Sequence, residues 1–81
     1  MMEKLDDGRK VVGTRRLLKA LSAGEIAIVY LADDAEMFIR TQVAEACERA
    51  GARLIVVPEM KELGKACGVD VRTAAAGLRK L

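Results

Sequence analysis

Five cations stand between Gly8 and Gly24 (Arg9, Lys10, Arg15, Arg16 and Lys19), and no acid stands among them. The rest of the chain holds nine cations against twelve acids, so the positive charge is concentrated in one segment. Guanidinium and ammonium groups donate hydrogen bonds to phosphate or carboxylate oxygens and accept none. Three of the five lie in the stretch GTRRLLKAL, residues 13 to 21. At 3.6 residues per turn, with Arg15 set at zero, Lys19 falls at about 40° and Arg16 at about 100°. Leu17, Leu21 and Leu18 fall at about 200°, 240° and 300°. The leucine face must pack on a sheet, which turns the cations outward together. Arg15 and Arg16 stand in the first helical turn, where the helix dipole opposes positive charge. Local stability does not account for that placement, whereas an external anion does. Gly13, the open amides of the first turn and three cations compose a phosphate-binding arrangement. On residue pattern alone, a merely solvated basic face remains the competing reading.

Other chemistries find little support. The 81 residues include no histidine, and no G-x-S-x-G, P-loop or G-x-G-x-x-G motif occurs. No catalytic residue is assigned, and the chain is not expected to be an enzyme. Cys47 and Cys67 form no CxxC pair and read as two small buried thiols, so neither a metal nor a cofactor is expected. The acids Asp33, Asp34 and Glu36 are expected to cap the long helix that follows them rather than to hold a metal. Lys61 and Lys65 share their helix with Glu59 and Glu62, which gives a mixed, solvated face. No apolar run is long enough to span a bilayer and the N-terminus lacks a signal-peptide core, so a cytoplasmic protein with no membrane partner is expected.

The elements that must position the basic helix follow from apolar patterning. Residues 3 to 10 predict a short helix or turn ending near Gly8, and Val11 and Val12 a brief strand. Thr14 is expected to cap the basic helix, which stops before Gly24. IAIVYLA, residues 26 to 32, predicts a strand buried on both faces. DDAE opens a long helix whose buried face is Ile39, Val43, Ala46, Cys47 and Ala50, closed by Gly51. RLIVV, residues 53 to 57, is expected to be the next buried strand, ended by Pro58, with a helix from Glu59 to near Gly68. The last segment, VDVRTAAAGLRKL, is open between a helix and a short edge strand followed by a tail, because alanines favour the first and Gly77 interrupts it. Strands alternating with helices indicate one α/β domain, residues 1 to 81, layered around a small mixed sheet.

VVGTRRLLKAL, VYLADDAE and LIVVPEMKELGKACGVDV, in that order, resemble the ribosomal kink-turn-binding superfamily over nearly the whole chain. That superfamily includes the archaeal large-subunit "seven-Ae" ribosomal protein, and its small bacterial YbxF-like branch fits best. The resemblance implies a three-layer α/β/α sandwich around four strands, the last starting near Thr73. It also implies binding to kink-turn or internal-loop RNA, which makes RNA, ribosomal RNA included, the expected partner. The glycine-threonine turn and the helix after it would contact sheared G·A pairs and flanking phosphates, which assigns Gly13, Thr14, Arg15, Arg16 and Lys19 to RNA. The loop after ACG would cover a flipped-out nucleotide, which assigns Val69, Asp70 and Val71. Archaeal members usually carry Asn-Glu where this chain has Arg15-Arg16. An arginine cannot accept a hydrogen bond from a guanine edge but can donate to guanine O6 and N7 or to phosphate. The expectation is a monomeric, non-catalytic RNA-binding protein, ribosomal or ribosome-associated. The alternative is a protein-interaction module of the same fold that docks an acidic partner through its basic face.

Overall fold

A computed structural model describes residues 2–81. The chain runs β1 (Lys10–Val12), α1 (Thr14–Ser22), β2 (Ile26–Ala32), α2 (Met37–Ala50), β3 (Arg53–Val57), α3 (Met60–Cys67) and β4 (Ala75–Arg79). The strands form one sheet in the order β1-β4-β2-β3. β4 runs antiparallel to both of its neighbours, and β2 and β3 are parallel. It follows that β1, β2 and β3 all point the same way, and that the three helices after them start at one end of the sheet.

Strand alternation divides the apolar residues between two cores. Val29, Leu31 and Ala75 face the layer of α1 and α2, where Leu17, Leu21, Val43 and Cys47 join them. Ala32, Val57, Ala76 and Leu78 face α3 on the other side, with Leu63, Ala66, Cys67 and Leu5. A register irregularity between Ile26 and Ile28 shifts the alternation of β2 at its start, which is how Ile26 and Val29 come to share one core. The result is the expected three-layer α/β/α sandwich around a four-stranded mixed sheet.

Several local expectations are corrected. Of the helix or turn expected over residues 3 to 10, the turn forms, at Asp7–Arg9, and an extended segment rather than a helix leads into it. Burial of Leu5 against α3 and the bond from its N–H to the Ala66 carbonyl, 2.8 Å, hold that segment straight. Helix α2 begins at Met37, after the acids, and Glu36 at its cap position makes no side-chain bond. Asp34 instead accepts the Met60 N–H at 2.7 Å and so caps α3, while Asp33 lies 3.8 Å from Arg40. Val43, Ala46 and Cys47 of α2 are buried, Ile39 packs at their margin, and Ala50 is exposed in the last turn, bordering the groove between α1 and α2. β3 is an edge strand, and only Val57 of its five residues is buried; Leu54 and Val56 remain 38% and 56% exposed. The last segment, open on residue content between a helix and an edge strand, forms the final strand that the resemblance implies, in the middle of the sheet rather than at its edge. It is β4, paired on both sides, and it begins two residues beyond Thr73.

Candidate nucleic-acid interface

Helix α1 begins at an unusual backbone position. Gly13 has φ 103° and ψ 143°, a region nearly closed to residues with a side chain, and it occupies the cap position of the helix. A Cβ placed there would meet nothing within 4 Å, so conformation rather than crowding calls for glycine. Its N–H donates to the Ala75 carbonyl at 3.2 Å and its own carbonyl accepts the Leu17 N–H at 3.0 Å. Thr14, expected as the cap, is the first helical residue. No side chain caps α1 and no acid stands in its first turn.

The five cations of the basic segment divide into two groups. Lys10 is engaged by the fold, its Nζ donating to the Cys67 carbonyl at 2.6 Å and pairing with Asp7 at 2.7 Å. The hydrogen bond and charge of Lys10 hold the Asp7 carboxyl below the usual carboxylate range. Arg9 donates from Nε to the Arg79 carbonyl at 2.9 Å. Arg15, Arg16 and Lys19 are exposed. Among the described residues none of the three makes an ion pair or a side-chain hydrogen bond. Leu17, Ala20 and Leu21 are buried beneath them, as the angular split requires.

The second loop lies against α3. Gly68 ends that helix in the left-handed conformation, with φ 74°. The Val69 N–H donates to the Gly64 carbonyl at 3.1 Å and the Thr73 N–H to the Met60 carbonyl at 3.1 Å. Gly64 sits so close under the Val71 carbonyl that no side chain fits between them. Within this frame the apolar-acid-apolar triplet is not uniform. Val69 is half-buried against the α3 core, whereas Asp70 is exposed and Val71 is 68% exposed at the loop tip.

Backbone bonds bring the two parts together. Gly13 bonds to Ala75, and the Ala32 N–H donates to the Ala74 carbonyl at 2.9 Å, so the start of α1, the end of β2 and the loop entering β4 meet at one end of the sheet. Three exposed residues at this end were not singled out from sequence: Met37, Phe38 and Arg72. Phe38 could have been found, because it departs from the apolar face that Val43, Ala46 and Cys47 define on α2.

Among the described residues no group of three His, Cys, Asp or Glu could hold a metal ion, and no helix is long and apolar enough to cross a membrane. Both thiols are buried, and burial pushes each above its ordinary pKa. Lys61 and Lys65 are exposed on α3 beside exposed Glu59 and half-buried Glu62, a mixed face as expected.

Comparison with known proteins fits this arrangement. Residues 2–80 match the profile of the ribosomal protein L7Ae/L30e/S12e/Gadd45 family. An RNA-binding protein of Caldanaerobacter subterraneus subsp. tengcongensis is 43% identical over 84% of this chain and 83% of its own length. RNA-binding protein YbxF of Geobacillus stearothermophilus is 38% identical over 91% of this chain and 90% of its own. The archaeal large ribosomal subunit protein eL8 of Nitrosopumilus maritimus is 33% identical over 88% of this chain but 56% of its own length. Among solved structures, the 15.5kD RNA binding protein of Giardia lamblia superposes with a TM-score of 0.84 at 29% identity, covering 91% of this chain and 62% of that one.

Proposed function

Because this chain belongs to the ribosomal protein L7Ae/L30e/S12e/Gadd45 family, we propose that it is a non-catalytic RNA-binding protein that recognises kink-turn or similarly bent, internally looped RNA. One chain serves one RNA site, in the cytoplasm and in association with the ribosome. The observation that carries this reading is the exposed basic face of α1, whose Arg15, Arg16 and Lys19 have no side-chain partner among the described residues, with Arg15 and Arg16 in the uncapped first turn at the sheet end that also bears the exposed loop tip of Val71.

Each part has a chemical task. Arg16 meets phosphate oxygens at the first turn, aided by its open amides and by the positive end of the helix dipole, and Lys19 meets a phosphate farther along the same face, in the last turn. Gly13 has no side chain and faces open space, so an RNA backbone can approach it closely. Arg15 and Arg16 donate hydrogen bonds and accept none, so they engage guanine through O6 and N7 or engage phosphate. Val71 covers an unstacked base without reading its edges, while Val69 anchors the loop beneath it. Within this division of labour, phosphate contacts supply affinity and the shape of the bent RNA supplies selection.

The test compares a kink-turn RNA with an A-form duplex of equal length. Tighter binding to the kink-turn is expected. Equal affinity for the two, or none for either, overturns the reading.

A further inference from the structure

We propose that Phe38 is a second base platform, on which bound RNA lays an unpaired nucleobase beside the first turn of α1. The inference rests on the RNA-binding reading above and adds to it a site on the opposite side of the sheet end from the 69–71 loop.

Phe38 is the chain's single phenylalanine, yet it is 69% exposed, next to Met37 at 70%. In a chain with one Phe, one Tyr and no Trp, the core is built without its largest apolar side chain. The α2 sequence fixes the exposure, since Phe38 lies about 140° around the helix from fully buried Val43. Packing within this chain does not explain an aromatic ring held in water at that position.

Helix geometry says what stands beside it. Both α1 and α2 leave the same end of the sheet and lie on the same face, so they run side by side in the same direction. Leu18 and Leu21 of α1 and Gln42 and Ala46 of α2 line the groove between them. One turn toward the N-termini, four residues back from Leu18 and Gln42, the same two ridges carry Thr14 and Phe38. The ring therefore flanks the open first turn of α1, with Arg15 on the next position outward. The loop of Val71, by contrast, packs on α3 across the sheet.

A flat apolar surface beside cations and unsatisfied helix amides matches one chemistry, that of a nucleotide whose phosphate is held and whose base is unstacked. Aromatic rings take any base, because every base presents a π-face. A purely apolar protein partner would supply the ring with a contact but would leave Arg15 and Arg16 without an anion.

The experiment uses the full chain and a kink-turn RNA carrying a fluorescent base analogue, placed in turn at each unpaired position. Phe38→Ala is expected to weaken binding by about tenfold, near the low end of what loss of one base–aromatic stack costs. The salt dependence should stay as it is, because no phosphate contact is removed. The ring is exposed, so the thermal unfolding midpoint should also hold. Phe38→Tyr, which keeps the ring, should bind like the parent, and one analogue should be quenched by the parent chain and not by Phe38→Ala. Binding that survives Phe38→Ala but fails with Arg16→Ala overturns this inference alone, and so does an equal loss on a duplex with no unpaired base. A parent chain that binds no RNA brings down the RNA-binding reading and this inference with it.

Discussion

Leu17 of α1 lies over Gly77 of β4 so closely that a methyl group added to Gly77 would stand 2.7 Å from the Leu17 Cδ1. The same methyl would lie 3.1 Å from the Ile28 carbonyl oxygen and 3.2 Å from the Ile26 Cγ2. Leu17 is fully buried, and the carbonyl belongs to a paired neighbouring strand, so neither side has room to yield. Gly77 thus sets how near the basic helix sits to the sheet. Gly77→Ala is expected to destabilise the protein by about 1–3 kcal/mol, the usual cost of overpacking a tight core. Chemical denaturation would read it, and unchanged stability would mean that the seat of α1 has slack.

Asp34 links the loop after β2 to the start of α3 through its bond with the Met60 N–H, 2.7 Å. Glu59, at the cap position itself, makes no side-chain bond to that helix, so Asp34 is the side chain that performs the capping. Asp34→Ala should cost about 0.5–2 kcal/mol, the range for losing a helix cap. Asp34→Asn, which keeps an acceptor oxygen, should cost much less. Equal losses in both variants would show that charge, not the hydrogen bond, is at work.

What could be seen in the sequence and what could not divide along the range of the interactions. The split of α1 into cationic and leucine faces is local, set by the helical period, and the structure reproduces it. The central strand IAIVYLA is equally local, because a continuous apolar run needs cover on both sides. The acids of DDAE read as caps of the nearer helix because capping is usually local; the partner of Asp34 lies 26 residues along the chain. RLIVV reads as a buried strand, and only the strand order puts it at an edge. The alanine-rich end is ambiguous by propensity, since Ala75, Ala76 and Gly77 are chosen for the close approach of helices on two faces. At the site, residue types identified the cations, but the fold decided which of them are free for a ligand. Lys10 is held by Cys67 and Asp7, and Arg9 by Arg79.

Arg16 and Lys19 have no partner among the described residues, so replacing either one removes a charge without breaking an internal contact. Stability should therefore stay nearly constant in Arg16→Ala and Lys19→Ala. If each side chain meets one RNA phosphate, the slope of log affinity against log salt should flatten by roughly 0.7–0.9 per substitution. A titration series from low to moderate salt measures it. A slope equal to the parent's would mean that these side chains do not touch the RNA backbone.

Val69 and Val71 share one loop but differ in burial, and that difference separates two effects of the same substitution. Val71 is exposed at the tip and its side chain has little of the core to lose, so Val71→Ala should weaken binding of bulged RNA with stability and salt slope unchanged. Val69 packs against the core to which Leu63 and Cys67 belong, so Val69→Ala should lower stability as well, by about 1 kcal/mol for two buried methyl groups only partly withdrawn from water. Thermal unfolding and RNA titration of the two variants side by side give the comparison. Loss of stability in both would mean that the loop tip is a structural lock on α3. Loss of RNA affinity in Val69→Ala alone would move the base contact from the tip to the root of the loop.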